Sequence, residues 1–361
     1  MARRHPGRTA LGALLIASFL VGCMSKNPYY DPAKAHHRPD GFVNSSGSPL
    51  GSDIPAWEIL LRNMRGDFKP KSLPEGGYEA FAQRWSVPLD AKALAVPPQG
   101  RRVTWLGHAS VLLQLGAINV LTDPVFSDRA GPTSWLGARR RVPAPIQAEA
   151  LPRLDVVLIS HNHYDHLDDD TVRRIHAAQG DAPLWVVPLG LKPWLAERGV
   201  THVRELDWWD TVDAAGLTIA LTPAQHWSKR TVWDANASLW GGFLVRQGAW
   251  QFLYTGDTGY SNDFVEIGRR FGAIDLLAVP IGAYEPRDFM RRQHVNPAES
   301  VRIAQDVHAK QAIGVHWGTF ELTQEAFDAP PRDLAAAVLA ANLPSDTIRV
   351  LRHGESLVLD H

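Results

Sequence analysis

The stretch Asp155-Val156-Val157-Leu158-Ile159-Ser160-His161-Asn162-His163-Tyr164-Asp165-His166 joins an apolar, β-branched run to three histidines and an aspartate within six positions. The apolar part has the length and composition of a strand covered on both faces. In extended backbone, positions i and i+2 face the same side, so His161 and His163 can share one metal ion, while a turn sends Asp165 and His166 to a second. The plain alternative is a surface loop that happens to be rich in histidine. Such a loop would need no partners elsewhere in the chain.

Partners are present at matching places. His226 follows LTIALTPAQ, Asp257 follows WQFLYTG, and His316 follows AIGV, so each closes a strand-like run as His161 does. Taken singly, a histidine at a strand end is an ordinary core or surface residue. Taken together, strands ending at one edge would complete two ligand sets. His161, His163 and His226 would hold one ion, Asp165, His166 and His316 the other, and Asp257 would bridge them with its two oxygens. Imidazole and carboxylate without thiolate suit zinc, with iron and manganese fitting the same donors.

Working outward from this motif, VTWLG, SVLLQLG and INVLTDP precede it in quick succession, and LWVVPLG, GGFLVRQ, IDLLAVPIG and IRVLRHG follow. Helical patterns separate several of the later runs: TVRRIHAAQG, NDFVEIGRRFG, NPAESVRIAQDVHAK and PPRDLAAAVLAANL. A hairpin-like start followed by mixed strands and helices predicts an α/β fold with two stacked sheets covered by helices, a four-layer αββα sandwich over residues 101–361. A doubly wound parallel sheet is the competitor, but it would need a helix after nearly every strand. Residues 57–100 predict a helical N-terminal extension packed on this body.

The 361 residues are 45% hydrophobic and 21% charged, which fits a globular chain and excludes a mostly disordered or polytopic membrane protein. Lys+Arg 37 against Asp+Glu 38 leaves no basic field for a nucleic-acid backbone. The single cysteine, Cys23, excludes an intramolecular disulfide and a Cys-based zinc site. Arg3, Arg4 and Arg8 precede an apolar run from Leu11 to Val21, too short to span a bilayer, so residues 1–22 predict a signal peptide. The run ends in Leu20-Val21-Gly22-Cys23, which resembles the lipobox of bacterial lipoproteins and implies lipidation of Cys23. Met24, where inner-membrane lipoproteins carry Asp, implies an outer-membrane lipoprotein facing the periplasm. Residues 23–56, rich in Pro, Gly, Ser and Asn, predict a flexible tether, with His36 and His37 as solvated linker residues.

Beyond the metal motif, WLGHAS, LTDPVFSDRAGP, GDTGY, PIGAYEPR, QHVNP, HWGTF and LRHGES resemble N-acylphosphatidylethanolamine-hydrolysing phospholipase D of the metallo-β-lactamase fold superfamily, over about residues 100–358, with a weaker echo at DGFVN. The resemblance implies two zinc ions, cleavage of a membrane phosphodiester to phosphatidic acid and an N-acylethanolamine, and a phospholipid and membrane surface as partners. It makes Asp165 and Asp257, with a metal-bridging hydroxide, the catalytic groups. It places Gln293, His294 and His353 facing the phosphate; His108 is a candidate support behind the ligands or a buried histidine capping a turn, and Tyr164, between two ligands, is a candidate for substrate contact or simple packing. Two other functions share the residues: a metal-dependent lactonase or small phosphoester hydrolase, and a non-catalytic metal-binding envelope lipoprotein. Monomer and homodimer are both open.

Overall fold

A computed structural model describes residues 27–47, 56–66 and 69–359; the signal-like segment, Cys23 and residues 48–55 of the expected tether lie outside the described residues. Strand periodicity generates the layers. Val156 and Leu158 enter one hydrophobic core while Val157 and Ile159 enter another, and Val186 is likewise divided from Trp185 and Val187. A sheet buried on both faces must be covered on both, by a second sheet on one side and helices on the other.

The first sheet has seven strands in the order Val203–Leu206, Leu184–Pro188, Val156–Leu158, Ile118–Thr122, Ser110–Leu115, Arg101–Gly107 and Ser356–Leu359. The second has six, Thr211–Ala214, Leu217–Thr222, Gly242–Gln247, Trp250–Tyr254, Leu276–Pro280 and Gln311–Val315. The helix Asp169–Gln179 buries Val172 and Ile175 in the core outside the first sheet. The helices Asp263–Phe271, Pro297–Asp306 and Ala329–Ala340 contribute Phe264, Ile303 and Leu334 to the larger core around the second. This is the expected four-layer αββα sandwich, and antiparallel hairpins opening each sheet exclude a doubly wound parallel one.

Each sheet turns parallel in its second half, and this positions the site. Ile118–Thr122 pairs parallel with Val156–Leu158, and Trp250–Tyr254 with Leu276–Pro280 and on to Gln311–Val315. Leu217–Thr222, two antiparallel steps from Trp250–Tyr254, runs the same way. Asp123, His161, His226, Asp257 and His316 all follow the C-terminal ends of these strands, so they meet at one edge.

The N-terminal extension contains the helices Ala56–Arg65, Gly77–Arg84 and Ala91–Ala95. Phe81 is buried edge-on against Trp317 and Phe327, and Leu94 is buried in the outer core. Residues 27–47 correct the expectation of a tether. His37–Arg38 and Gly41–Phe42 form a small antiparallel pair, Phe42 is buried in the main core, and its N–H donates to the Asn236 carbonyl at 3.0 Å. His36 and His37 are not solvated: their Nε2 atoms lie 2.7 and 2.9 Å from the buried Asp207 carboxylate, Lys34 approaches it at 2.5 Å, and His36 stacks on Trp208. A buried carboxylate demands such partners, and composition cannot show that demand.

His353 also departs from expectation. It faces no cleft: it is fully buried behind the sheet edge, beneath Gly107, whose φ of +106° and close approach to the ring (2.8 Å from a Cβ to Cδ2) leave no room for a side chain. Its Nδ1–H donates to the Trp85 carbonyl at 3.0 Å, and its Nε2 accepts from Thr319 Oγ1 at 2.8 Å. Thr319 Oγ1 in turn accepts the backbone N–H of His108 at 2.8 Å. His353 therefore supports the turn that carries His108 and does not touch phosphate.

Two consequences can be measured. Phe42→Ala should cost about 3–5 kcal/mol of stability in urea unfolding, as for other fully enclosed aromatic rings, whereas a loss under about 0.5 kcal/mol would mean a loosely attached segment. Burial, aided by Arg140 and opposed by the bond to Trp85, lowers the His353 pKa from 6.5 to about 3. Between those values the unfolded chain binds a proton that the folded chain refuses, so stability falls as pH drops through the window, by ~1.4 kcal/mol per pH unit. His353→Gln should flatten the stability profile by about that slope, and parallel profiles for both proteins would refute the assignment.

Candidate metal centre

The motif folds as predicted from its turn. Leu167 N donates to the His163 carbonyl at 2.8 Å, Leu167 is buried under the following helix, and Arg230 Nη1 closes the loop by donating to the carbonyls of Asn162 at 2.9 Å and Leu167 at 2.5 Å. His161, His163 and His226 converge: His163 Nδ1 lies 2.8 Å from His161 Nε2 and 3.2 Å from His226 Nε2. Beside them, Asp165 Oδ2 lies 3.5 Å from His316 Nε2 and 3.7 Å from His166 Nε2. Asp257 stands between the sets, with Oδ2 at 3.0 Å from His166, 3.1 Å from His316, 3.9 Å from His226 and 4.0 Å from His161. All seven expected ligands are thus brought together. The Asp257 turn depends on Gly256 (φ +61°), because a Cβ there would stand 2.8 Å from the Gly241 carbonyl oxygen and 2.9 Å from Ser160.

The rings are held by atoms other than those that converge. His226 Nδ1–H donates to the Gln293 carbonyl at 2.9 Å, leaving Nε2 as a lone pair. His166 Nδ1 is 2.7 Å from Asp123 Oδ2, and Asp123 also accepts from Ser160 N, Ser160 Oγ and the Tyr254 hydroxyl. His108 Nε2 is 3.1 Å from Asp165 Oδ2, and its ring packs 4.0 Å from that of His316, so it stands behind these two ligands.

Electrostatics separate the two sets. Burial and the neighbouring imidazoles keep His161 neutral and lower His163 to about 3, while burial outweighs the pull of Asp257 and leaves His226 at about 4. These are the unprotonated forms that bind metal. At His316 burial opposes charge, but Asp257 and Asp165 prevail and lift it to about 9; the same carboxylates raise His166 further. Both carboxyls stay well below their ordinary range despite burial, Asp165 chiefly through His166 and Asp257 through His166 and His316. The pocket therefore demands positive charge between the carboxylates, which divalent ions supply. His163 Nε2 is buried with no hydrogen-bond partner among the described residues, and His166 Nε2 and His316 Nε2 face the Asp257 and Asp165 carboxylates. The donor set fits a metal pair.

A cleft of about 430 Å³ opens onto this centre, lined by Ala130, Trp227, Phe289, Met290 and Leu322 along its walls and by His163, Asp165, Asp257 and His294 at its floor. Tyr164 and Gln293 also line it. His294 Nε2 lies 3.9 Å from Asp257, and its Nδ1 has no partner among the described residues. Tyr164 donates its hydroxyl to the Arg230 carbonyl at 2.8 Å, so it shows the cleft a ring face. Three supports escaped the sequence: Asp123, Arg230 and Asn44, whose Oδ1 accepts His226 N at 3.0 Å. Asp123 had a signal, since it ends the INVLT run as Asp257 ends its own.

A family model described as the beta-lactamase superfamily domain matches residues 118–317. N-acyl-phosphatidylethanolamine-hydrolyzing phospholipase D 1 of Caenorhabditis elegans is 43% identical over 244 residues, covering 65% of this chain and 68% of that protein. The mitochondrial N-acyl-phosphatidylethanolamine-hydrolyzing phospholipase D of Saccharomyces cerevisiae is 40% identical over 64% of this chain, but only 50% of its own length is matched. Igni18, a metallo hydrolase of the archaeon Ignicoccus hospitalis, shares the fold at TM-score 0.54 and 18% identity, over 72% of this chain and 99% of that one. With its fold, its convergent His/Asp centre and these relatives, the chain belongs to the metallo-β-lactamase superfamily and, within it, to the hydrolase family of N-acyl-phosphatidylethanolamine-hydrolysing phospholipases D.

Proposed function

We propose that the protein is a dinuclear zinc phosphodiesterase that hydrolyses N-acylphosphatidylethanolamine to phosphatidic acid and an N-acylethanolamine. The observation that carries this is the cleft, whose apolar walls lead to a floor where His163, Asp165 and Asp257, three of the seven convergent ligands, are reached. Such a gradient receives an amphiphile with its chains along the walls and its phosphodiester at the floor. When bound, the ions supply a nucleophilic water near neutral pH and offset charge on phosphoryl oxygens. The chain's own part is orientation. His161, His163 and His226 would hold one ion, Asp165, His166 and His316 the other, with Asp257 touching both sets. His294 Nε2, beside Asp257, is placed to meet a phosphoryl oxygen, and the Tyr164 ring limits the space next to it.

Attack at phosphorus puts the solvent oxygen into the phosphate and leaves the alcohol oxygen of the N-acylethanolamine unlabelled. In heavy-oxygen water, phosphatidic acid should gain one label and the N-acylethanolamine none. Asp257→Asn should lower the rate by on the order of a thousandfold or more and serves as the blank. Elemental analysis of the unmodified protein should find about two zinc ions per chain. Label in a released carboxylate would instead select the lactonase or esterase chemistry open to the same donor set.

We further propose that Cys23 carries a lipid anchor that holds the protein to the outer membrane, facing the periplasm. The supporting features are Arg3, Arg4 and Arg8, the Leu11–Val21 run and the Leu20–Cys23 box. Cys23→Ser should leave an unprocessed precursor in fractionated cells; normal processing and membrane recovery of that variant would exclude the anchor.

A further inference from the structure

Two walls of the cleft come from two separate loops. Ala283, Phe289 and Met290 belong to the crossing between the strand Leu276–Pro280 and the helix Pro297–Asp306, and Leu322 and Thr323 to the segment that follows Gln311–Val315. One side chain holds both. Glu325, half-buried, accepts the Ala283 N–H on Oε1 at 2.6 Å and the Glu285 N–H on Oε2 at 3.0 Å, while the Thr323 hydroxyl donates to Oε1 at 2.8 Å. Beside it Gln324 N donates to the Glu285 carbonyl at 3.1 Å and closes the same seam.

The geometry of the first wall shows why a grip is needed there. Ala283 has a φ of +62°, a left-handed conformation that alanine keeps only where its surroundings enforce it. The residue before it has no slack, because a Cβ on Gly282 would stand 2.5 Å from the carbonyl oxygen of the ligand His316. The carboxylate takes the N–H of the strained residue and that of the residue two further on. Burial lifts the Glu325 pKa, and hydrogen bonds from Thr323 and from the N–H groups of Glu285 and Ala283 draw it back. Three donors thus converge on two oxygens. A glutamine would offer one oxygen and turn its NH2 toward a donor, so the position selects glutamate by its count of acceptors.

We propose that Glu325 is a positioning residue that bolts the two walls together with one carboxylate, sets the width of the cleft for the acyl-bearing part of the substrate, and acts on substrate only through those walls. This deepens the function proposed above and rests on it for the nature of the substrate.

Glu325→Gln in the zinc-loaded full chain tests it. The loop keeps its other attachments in that variant, since Tyr284 donates its hydroxyl to Asp333 and Arg287 Nη1 donates to the His294 carbonyl at 2.9 Å. Hydrogen exchange followed by mass spectrometry over residues 281–290 should quicken by about tenfold or more at the stranded amides. The KM for N-acylphosphatidylethanolamine in detergent micelles should rise about fivefold or more, with kcat within about twofold of the unmodified protein. Bis(para-nitrophenyl) phosphate, a diester without long chains to lie along the walls, should keep its kcat/KM, and the zinc content should not change. Unaltered exchange would overturn the bolt. Faster exchange with an unaltered KM for the lipid would leave the contact merely structural and overturn its role in admitting substrate. Equal losses on both substrates, or a fall in zinc, would place Glu325 behind the metal centre and overturn the proposal as well. An unmodified protein that cleaves the small diester and never the lipid would refute the function proposed above, while the exchange measurement would still decide whether Glu325 holds the walls.

Discussion

A buried carboxylate stays ionised only if positive charge stands beside it, and of the five imidazoles within 4.0 Å of Asp257 it is His166 and His316 that carry the charge. Much else in the molecule follows from that requirement. The imidazoles cannot be left to find their own orientations, because a buried ring turned the wrong way strands a donor or a lone pair. Hence Asp123 fixes His166, the Gln293 carbonyl fixes His226, and Asp165 is steadied by His108. These supports come from three separate chain segments: the turn after Arg101–Gly107, the end of Ile118–Thr122 and the loop after the helix Arg287–Met290.

The ligands were legible because their geometry is short in range. A strand of known direction ends where its apolar run ends, and the polar residue just beyond it is placed by that ending alone. His161, His226, Asp257 and His316 follow this rule, and so does Asp123, although one aspartate beside a proline has the composition of an ordinary turn. The resemblance places Gln293 at the phosphate. Its side chain does line the cleft, but its firm bond is made by the backbone carbonyl, an atom that no side-chain identity reveals. His353 failed for a related reason. Its partners Trp85 and Thr319 lie 268 and 34 positions away, and nothing local tells which side of Gly107 the ring occupies.

The N-terminal segment shows a different limit. Residues 27–47 have the proline, glycine and serine content of a linker, and local composition favours that reading. One aromatic ring and one buried acid reverse it. Phe42 fills space in the main core, and Asp207 would be a buried unpaired charge without Lys34, His36 and His37. His37 Nδ1 accepts the N–H of Asp31 at 3.1 Å, so its Nε2 carries the proton and donates to Asp207. That tautomer, with Lys34 on the same carboxylate, makes the cluster a clasp and not a second metal centre. Through Asn44 the clasped segment reaches the backbone of a metal ligand, so a stretch with linker composition forms part of the frame of the site.

The division of labour among the cations follows from the same accounting of donors. Arg230 stands next to the cleft, but its guanidinium is committed to the carbonyls of Asn162 and Leu167, and burial lowers its pKa to about 10. Arg140, in the middle of a basic triplet, is buried on the carbonyls of Val125 and Ser127 and over the Phe320 ring. Both serve as scaffold, holding loops whose backbone oxygens would otherwise be unsatisfied. Arg141 pairs with Glu321. Arg139 is exposed and Lys229 half-exposed, with no acidic partner for either among the described residues. The cleft beside them is thus left apolar along its walls, at Ala130, Trp227, Phe289, Met290 and Leu322, and polar at its floor, where His163, Asp165 and Asp257 stand.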